Sequence, residues 1–148
     1  MDVTTGRGFS IIELLAALTI AGILAGLALP GWNRLLPGQH LTSATRVVHS
    51  ELQSIKMRAA AQNLSYRLVY TANSLEYSIE KNGNLVSTKP LPDGVSITKG
   101  GTISFSPRGT ASGNRVRLQS RDGSCQQVIV SPTGRVRVCK PSACASDC

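Results

Sequence analysis

GRGFSIIELLAAL, residues 6–18, carries a basic, glycine-ended leader straight into an apolar segment that holds one carboxylate, Glu13. The apolar run continues to FSIIELLAALTIAGILAGLAL, residues 9–29, with no other charge. At about 1.5 Å per residue a helix of that length crosses a hydrocarbon core of roughly 30 Å. A carboxylate taken to the bilayer centre costs roughly 2.5–3.5 kcal/mol, so something must offset Glu13. A secretory signal peptide would have a shorter apolar core followed by a small-x-small cleavage site, and Pro30-Gly31-Trp32 fits that poorly. An ordinary signal anchor leaves Glu13 unexplained. Cleavage after Gly8 explains it: Phe9 becomes a new N-terminus whose amine lies about one helical turn from Glu13. The two charges then neutralise each other, within a chain or between neighbours. Glu13 also falls in the first helical turn, where the helix dipole favours an anion.

Arg7-Gly8, Phe9, Ser10, Glu13 and Pro30 together resemble the N-terminus of type IV pilins and pseudopilins. The resemblance implies cleavage between Gly8 and Phe9 by a membrane prepilin peptidase and methylation of the Phe9 amine. It implies a single-pass protein of the bacterial inner membrane with its head in the periplasm, later drawn into a helical fibre of major and minor pilins. Glu13 then pairs with a neighbouring subunit's amine. The fibre is a cell-surface pilus or a periplasmic pseudopilus.

Three segments follow: a leader over residues 1–8, an N-terminal helix over 9–62 with 9–29 as membrane span or fibre core, and a β-rich head over 63–148. Leu41, Ala44, Val48, Leu52, Ile55 and Ala59 recur at spacings of three and four, the stripe of an amphipathic helix. Pro30, Gly31, Pro37 and Gly38 predict a bend or short unwound stretch around residues 30–39. Beyond Asn63 the chain reads as short strands, YRLVY, LEYSIE, LVST, VSIT, TISFS, RVRLQS, CQQVIV and RVRVC, separated by turn residues. The expected class is α+β: a long hydrophobic-to-amphipathic helix packed on an antiparallel, sandwich-like head.

Four cysteines, Cys125, Cys139, Cys144 and Cys148, crowd the C-terminus. Their spacing lacks a CxxC pair and neither histidine is near in sequence, which favours disulfides over zinc. Of the three connectivities, Cys125–Cys139 across the hairpin with Cys144–Cys148 closing the tail is the leading one. No metal or cofactor is expected. His40 and His49 have no nucleophile or carboxylate pair in view, and no phosphate-binding GxxxxGK[ST] element occurs. An enzyme is not expected.

The formal charge is +8, and residues 99–140 hold nearly all of it: Lys99, Arg108, Arg115, Arg117, Arg121, Arg135, Arg137 and Lys140 against Asp122 alone. Such asymmetry favours a polyanion or an acidic protein surface. Side chains alternate along a strand, so Arg135 and Arg137 share a face opposite Val136 and Val138. Arg115 and Arg117 likewise oppose Val116 and Leu118. The planar guanidinium suits bidentate phosphate contact, and Gly134 lets the backbone turn and bring its N–H near a phosphate. Phe105 is the only aromatic residue from 99 onward, so stacking on single strands is poorly provided for. The head and its TGRVRVC hairpin resemble the FimT/GspH branch of minor pilins and pseudopilins, and Gly134-Arg135-Val136-Arg137 has the G-R-x-R form associated there with DNA uptake. The resemblance implies a minor pilin associated with DNA uptake in natural transformation through Gly134, Arg135 and Arg137. With Arg115, Arg117, Arg121 and Lys140 as further basic candidates, sequence-indifferent binding to the phosphates of duplex DNA is expected. A type II secretion pseudopilin and a purely structural or priming minor pilin are the alternatives. An acidic neighbouring pilin is the rival partner for the arginines.

Overall fold

The computed structural model describes residues 10–144 and Ser146. The leader, Gly8, Phe9 and Cys148 lie outside the described residues. Among the described residues one α-helix is followed by eight strands: α1 (Ile11–Gln62), β1 (Tyr66–Tyr70), β2 (Glu76–Lys81), β3 (Asn84–Pro90), β4 (Val95–Ile97), β5 (Gly101–Phe105), β6 (Asn114–Ser120), β7 (Cys125–Val130) and β8 (Val136–Cys139).

The helix belongs to two compact units, divided between Leu36 and Pro37. Over residues 11–26 every side chain is exposed, including Ile11, Ile12, Leu14, Leu15, Leu18, Ile20, Ile23 and Leu24. Among the described residues this apolar stretch has no partner, and a helix of that kind is covered by lipid or by other helices. Among the described residues no helix is long and apolar enough to cross a membrane. The expected span, residues 9–29, extends past those described side chains at both ends. Glu13 stands in the first turn, where its N–H and that of Leu14 both bond to the Ser10 carbonyl at 3.0 and 3.1 Å.

The helix runs without interruption through Pro30 and Pro37, so of the bend or short unwound stretch expected around residues 30–39 the unwound stretch does not form. Each proline deletes one backbone hydrogen bond, and a helix this long keeps its remaining ladder on either side.

The second unit, Pro37–Cys148, is built on the apolar stripe of α1. Leu41, Ala44, Val48, Leu52, Ile55 and Ala59 are all buried. They share one core with the inner faces of two four-stranded antiparallel sheets, ordered β3-β2-β1-β5 and β4-β6-β7-β8. The first sheet contributes Tyr66, Leu68, Tyr70, Tyr77, Ile79, Ile103 and Phe105. The second contributes only aliphatic apolar side chains: Val95, Ile97, Val116, Leu118, Val128, Val130 and Val136. Lys89 of edge strand β3 binds Glu51 of α1 at 2.6 Å, a sheet-to-helix tie in addition to the apolar contact.

Three turns share one construction. In Ser106-Pro107-Arg108-Gly109, Ser120-Arg121-Asp122-Gly123 and Ser131-Pro132-Thr133-Gly134, the glycine N–H closes on the serine carbonyl at 3.0, 3.0 and 2.8 Å. Each glycine has positive φ, +81°, +85° and +74°. Each serine N–H then bonds to the carbonyl four residues on, at Thr110, Ser124 and Arg135. This is a three-residue hairpin loop with a left-handed residue at its bulge, where glycine has no Cβ to clash.

The disulfide pairing differs from the expected one. Cys125 is bonded to Cys144, and Cys139 is also disulfide-bonded. The register gives the reason: β8 pairs Cys139 with Gln127, so Cys125 lies two residues further along β7, past the end of β8. A cross-strand bridge would need the two cysteines opposite each other. The tail, returning beside β7, brings Cys144 within reach instead, with Cα atoms 5.4 Å apart.

Candidate nucleic-acid interface

The basic residues of the second sheet fall into place by register. Arg115 on β6 is opposite Ile129 on β7, and Ile129 is opposite Arg137 on β8. Arg115 and Arg137 therefore stand in one cross-strand row on the same face, separated by one strand. At about 4.8 Å between strands, their Cα atoms are about 10 Å apart. Arg117, opposite Gln127, occupies the next row with Cys139. Val116 and Leu118 turn to the core, leaving Arg115 and Arg117 half-exposed on the outer face. Both hold further contacts within the chain. With Lys99, Gly100 and Asn114 they line an open, basic cavity of about 270 Å³.

The hairpin itself is more exposed. Arg135, Arg137 and Lys140 are all solvent-facing. Arg135 precedes β8 and closes the turn, its N–H bonded to the Ser131 hydroxyl at 3.2 Å and its carbonyl to the Ser131 N–H. Val136 is buried as alternation requires, but Val138 is 46% exposed. Strand β8 is the sheet edge, and at Val138 it no longer has core on its inner side. The expectation that both valines reach the interior holds only for the first.

Gly134 has a different part from the one expected. Its N–H is bonded to the Ser131 carbonyl, so it is committed to the turn rather than offered to a phosphate. Its own carbonyl accepts the Lys56 ammonium of α1 at 3.0 Å. A Cβ placed on Gly134 would strike the Gly109 carbonyl oxygen. The glycine is required because two turns meet backbone to backbone, and Lys56 locks the hairpin to the helix. Lys56 and Gly109 are structural members of the site that strand alternation could not reveal. The repeated Ser-Pro-x-Gly, at 106–109 and 131–134, was the signal available in the sequence.

Two of the candidates stand apart. Arg121 lies six positions beyond Arg115, just past the end of β6, about 20 Å away at the opposite end of the sheet. There the Arg121 side chain lies over Gly94. Lys140 is at that end too, bordering a groove of about 410 Å³ with Ser124, Cys125 and Cys144. Asp122, the acidic residue of this region, is held below the usual carboxylate range by the Ser124 N–H, which it accepts at 3.0 Å. Among the described residues no cluster of histidine, cysteine or acidic groups is placed to hold a metal.

An N-terminal helix whose apolar residues 11–26 are exposed and whose later turns pack on two antiparallel sheets, with a disulfide-tied C-terminus, is the construction of the pilin class of fibre subunit. Residues 44–134 match the family described as type II transport protein GspH, and residues 6–29 match the prokaryotic N-terminal methylation motif. The chain belongs to the GspH family of type IV minor pilins and pseudopilins. Its fold is similar to that of the type IV minor pilin FimU of Pseudomonas aeruginosa, with 15% identity over 70% of this chain and 99% of that one, at a TM-score of 0.53. It is also similar to the minor pseudopilin EpsH of the type 2 secretion system of Vibrio cholerae, with 7% identity over 70% and 98% of the two chains, at a TM-score of 0.58. No curated protein sequence matches the chain.

Proposed function

We propose that this minor pilin is cleaved between Gly8 and Phe9, methylated on the Phe9 amine, and assembled from the inner membrane into a type IV fibre. Its head faces the periplasm before assembly, and it acts there by binding and packing rather than by catalysis. The match to the methylation motif over residues 6–29 supports the processing. The uncovered apolar helix supports the assembly, since residues 11–26 find no cover among the described residues. Glu13 is then neutralised by a neighbour's terminal ammonium, an attraction that strengthens as water is excluded. The mature protein isolated from membranes should begin at N-methylated Phe9 by mass spectrometry. A chain retaining residues 1–8 would sink this reading.

We propose further that the head binds duplex DNA along its phosphates, in the service of DNA uptake. The observation that carries this is the exposure of Arg135 and Arg137 together on one edge hairpin, with Arg115 in the same row. A row of guanidinium groups suits a polyanion, and phosphate contact carries no sequence information. In a mobility-shift titration the protein should bind unrelated duplexes alike. Affinity should fall with salt by about 0.9 log unit per contact per log unit of salt. If Arg135→Gln with Arg137→Gln binds as the parent does, the assignment to this hairpin fails.

A second reading has its own support. The matched family description and the fold of EpsH both point toward a type II secretion pseudopilus. There the arginines would meet an acidic neighbouring pseudopilin. Absence of duplex binding at low salt, with capture of such a subunit by the same face, would favour it.

A further inference from the structure

The turns at 106–110 and 131–135 are twins in sequence and in hydrogen bonding, and they abut. The Ala111 N–H bonds to the Pro132 carbonyl at 3.0 Å, and the Gly109 carbonyl lies where a side chain of Gly134 would begin. The Lys56 ammonium is bonded to the Gly134 carbonyl, and its side chain passes both glycines, within 3.7 Å of a Cβ on Gly109 and 3.4 Å of one on Gly134. The two loops therefore form one tip fixed to α1. Each presents an exposed arginine beside the glycine contact: Arg108 just before Gly109, Arg135 just after Gly134. Neither loop contains an acidic residue.

We infer that Arg108 is a phosphate contact of the same duplex, acting with Arg135 as a two-loop basic tip, and that Lys56 positions that tip. This inference rests on the DNA-binding reading. In sequence Arg108 is 27 residues from Arg135, and it lies in a loop that strand alternation does not address. The backbone contact between Gly109 and Gly134 is what brings the two together. Because the tip is held by backbone hydrogen bonds and an ammonium, little ordering cost remains to be met when DNA arrives.

The full-length chain in an uncharged detergent is titrated against a fluorescent duplex from about 50 to about 300 mM salt, a range in which counterion release is readily measured. Arg108→Gln should weaken binding alike on unrelated sequences and lower the salt slope by about one. Arg46→Gln removes the same charge from an exposed site about 15 Å along the helix from Lys56 and should leave the slope unchanged. Arg108→Lys should keep the slope. If Arg108→Gln binds like the parent while the Arg135→Gln, Arg137→Gln variant is impaired, the inference falls and the hairpin reading stands. If both variants bind like the parent, the reading and the inference fall together. Equal losses in Arg108→Gln and Arg46→Gln would reduce the effect to net charge and overturn the inference.

Discussion

Gly134 illustrates how one residue can belong to a functional motif for a structural reason. Its positive φ alone penalises any larger residue by about 1–2 kcal/mol. Gly123, in the turn of identical construction, carries that same penalty, but a Cβ there would meet nothing within 4 Å. At Gly134 the Cβ would strike the Gly109 carbonyl. Gly134→Ala should therefore destabilise the head more than Gly123→Ala. The excess should be at least about 1 kcal/mol, or roughly 4 °C in Tm for a unit of this size. Thermal unfolding followed by circular dichroism measures the difference. Equal shifts in the two variants would mean that the two loops do not touch as described. The G-R-x-R glycine thus governs where the arginines stand, while its own N–H is taken up by the turn.

Among elements, the second sheet has the thinner core. It contributes no aromatic side chain to the interior, whereas the first sheet contributes Tyr66, Tyr70, Tyr77 and Phe105. The Cys125–Cys144 bridge sits where the aromatic mass is missing, joining β7 to the tail across 19 residues. Closing a loop of that length is worth about 3 kcal/mol on the chain-entropy account. Replacing Cys125 and Cys144 by serine should lower the stability of the head by about that much in a urea titration. A non-reducing peptide map of the parent should return Cys125 linked to Cys144. Recovery of Cys125 linked to Cys139 would overturn the register argument. The twin turns show the same dependence on neighbours: each is locally encoded, and only their contact gives the tip its shape.

At the scale of the whole head, the first sheet makes stability sensitive to alkaline pH. Burial pushes both Tyr70 and Tyr77 up to about 12, and the nearby Glu51 carboxylate adds to the effect at Tyr77. A folded-state value above the unfolded value of 10.0 means that the native state holds its protons more tightly. Stability is then fully present below about pH 10 and declines as pH rises through about 12. The two hydroxyls should respond differently to removal. Tyr70 donates to the Arg115 carbonyl at 2.9 Å, so Tyr70→Phe should cost about 1 kcal/mol at neutral pH. The Tyr77 hydroxyl is buried without a hydrogen-bond partner among the described residues. Tyr77→Phe should be neutral or stabilising at pH 7 and should flatten the alkaline decline. Urea titrations at pH 7, 9 and 11 measure both; a loss of stability on Tyr77→Phe at pH 7 would show that its hydroxyl is satisfied.

The sequence by itself determined the elements. Apolar residues at spacings of three and four placed the buried stripe of α1, and alternation with turn residues placed the eight strands. Both signals are local, because helix and strand periodicities are set by the backbone. Glu13 within an apolar run, behind Arg7-Gly8, is also what the proposal of a processed fibre subunit starts from. Only the tertiary structure decided what depends on who faces whom. Register moved Cys125 past the end of β8 and paired it with Cys144. The meeting of two turns assigned Gly134 to Gly109 and Lys56, and brought together the loops that carry Arg108 and Arg135. Those relations join residues tens of positions apart, and they are fixed by close packing against a shared core, which no local pattern in the chain encodes.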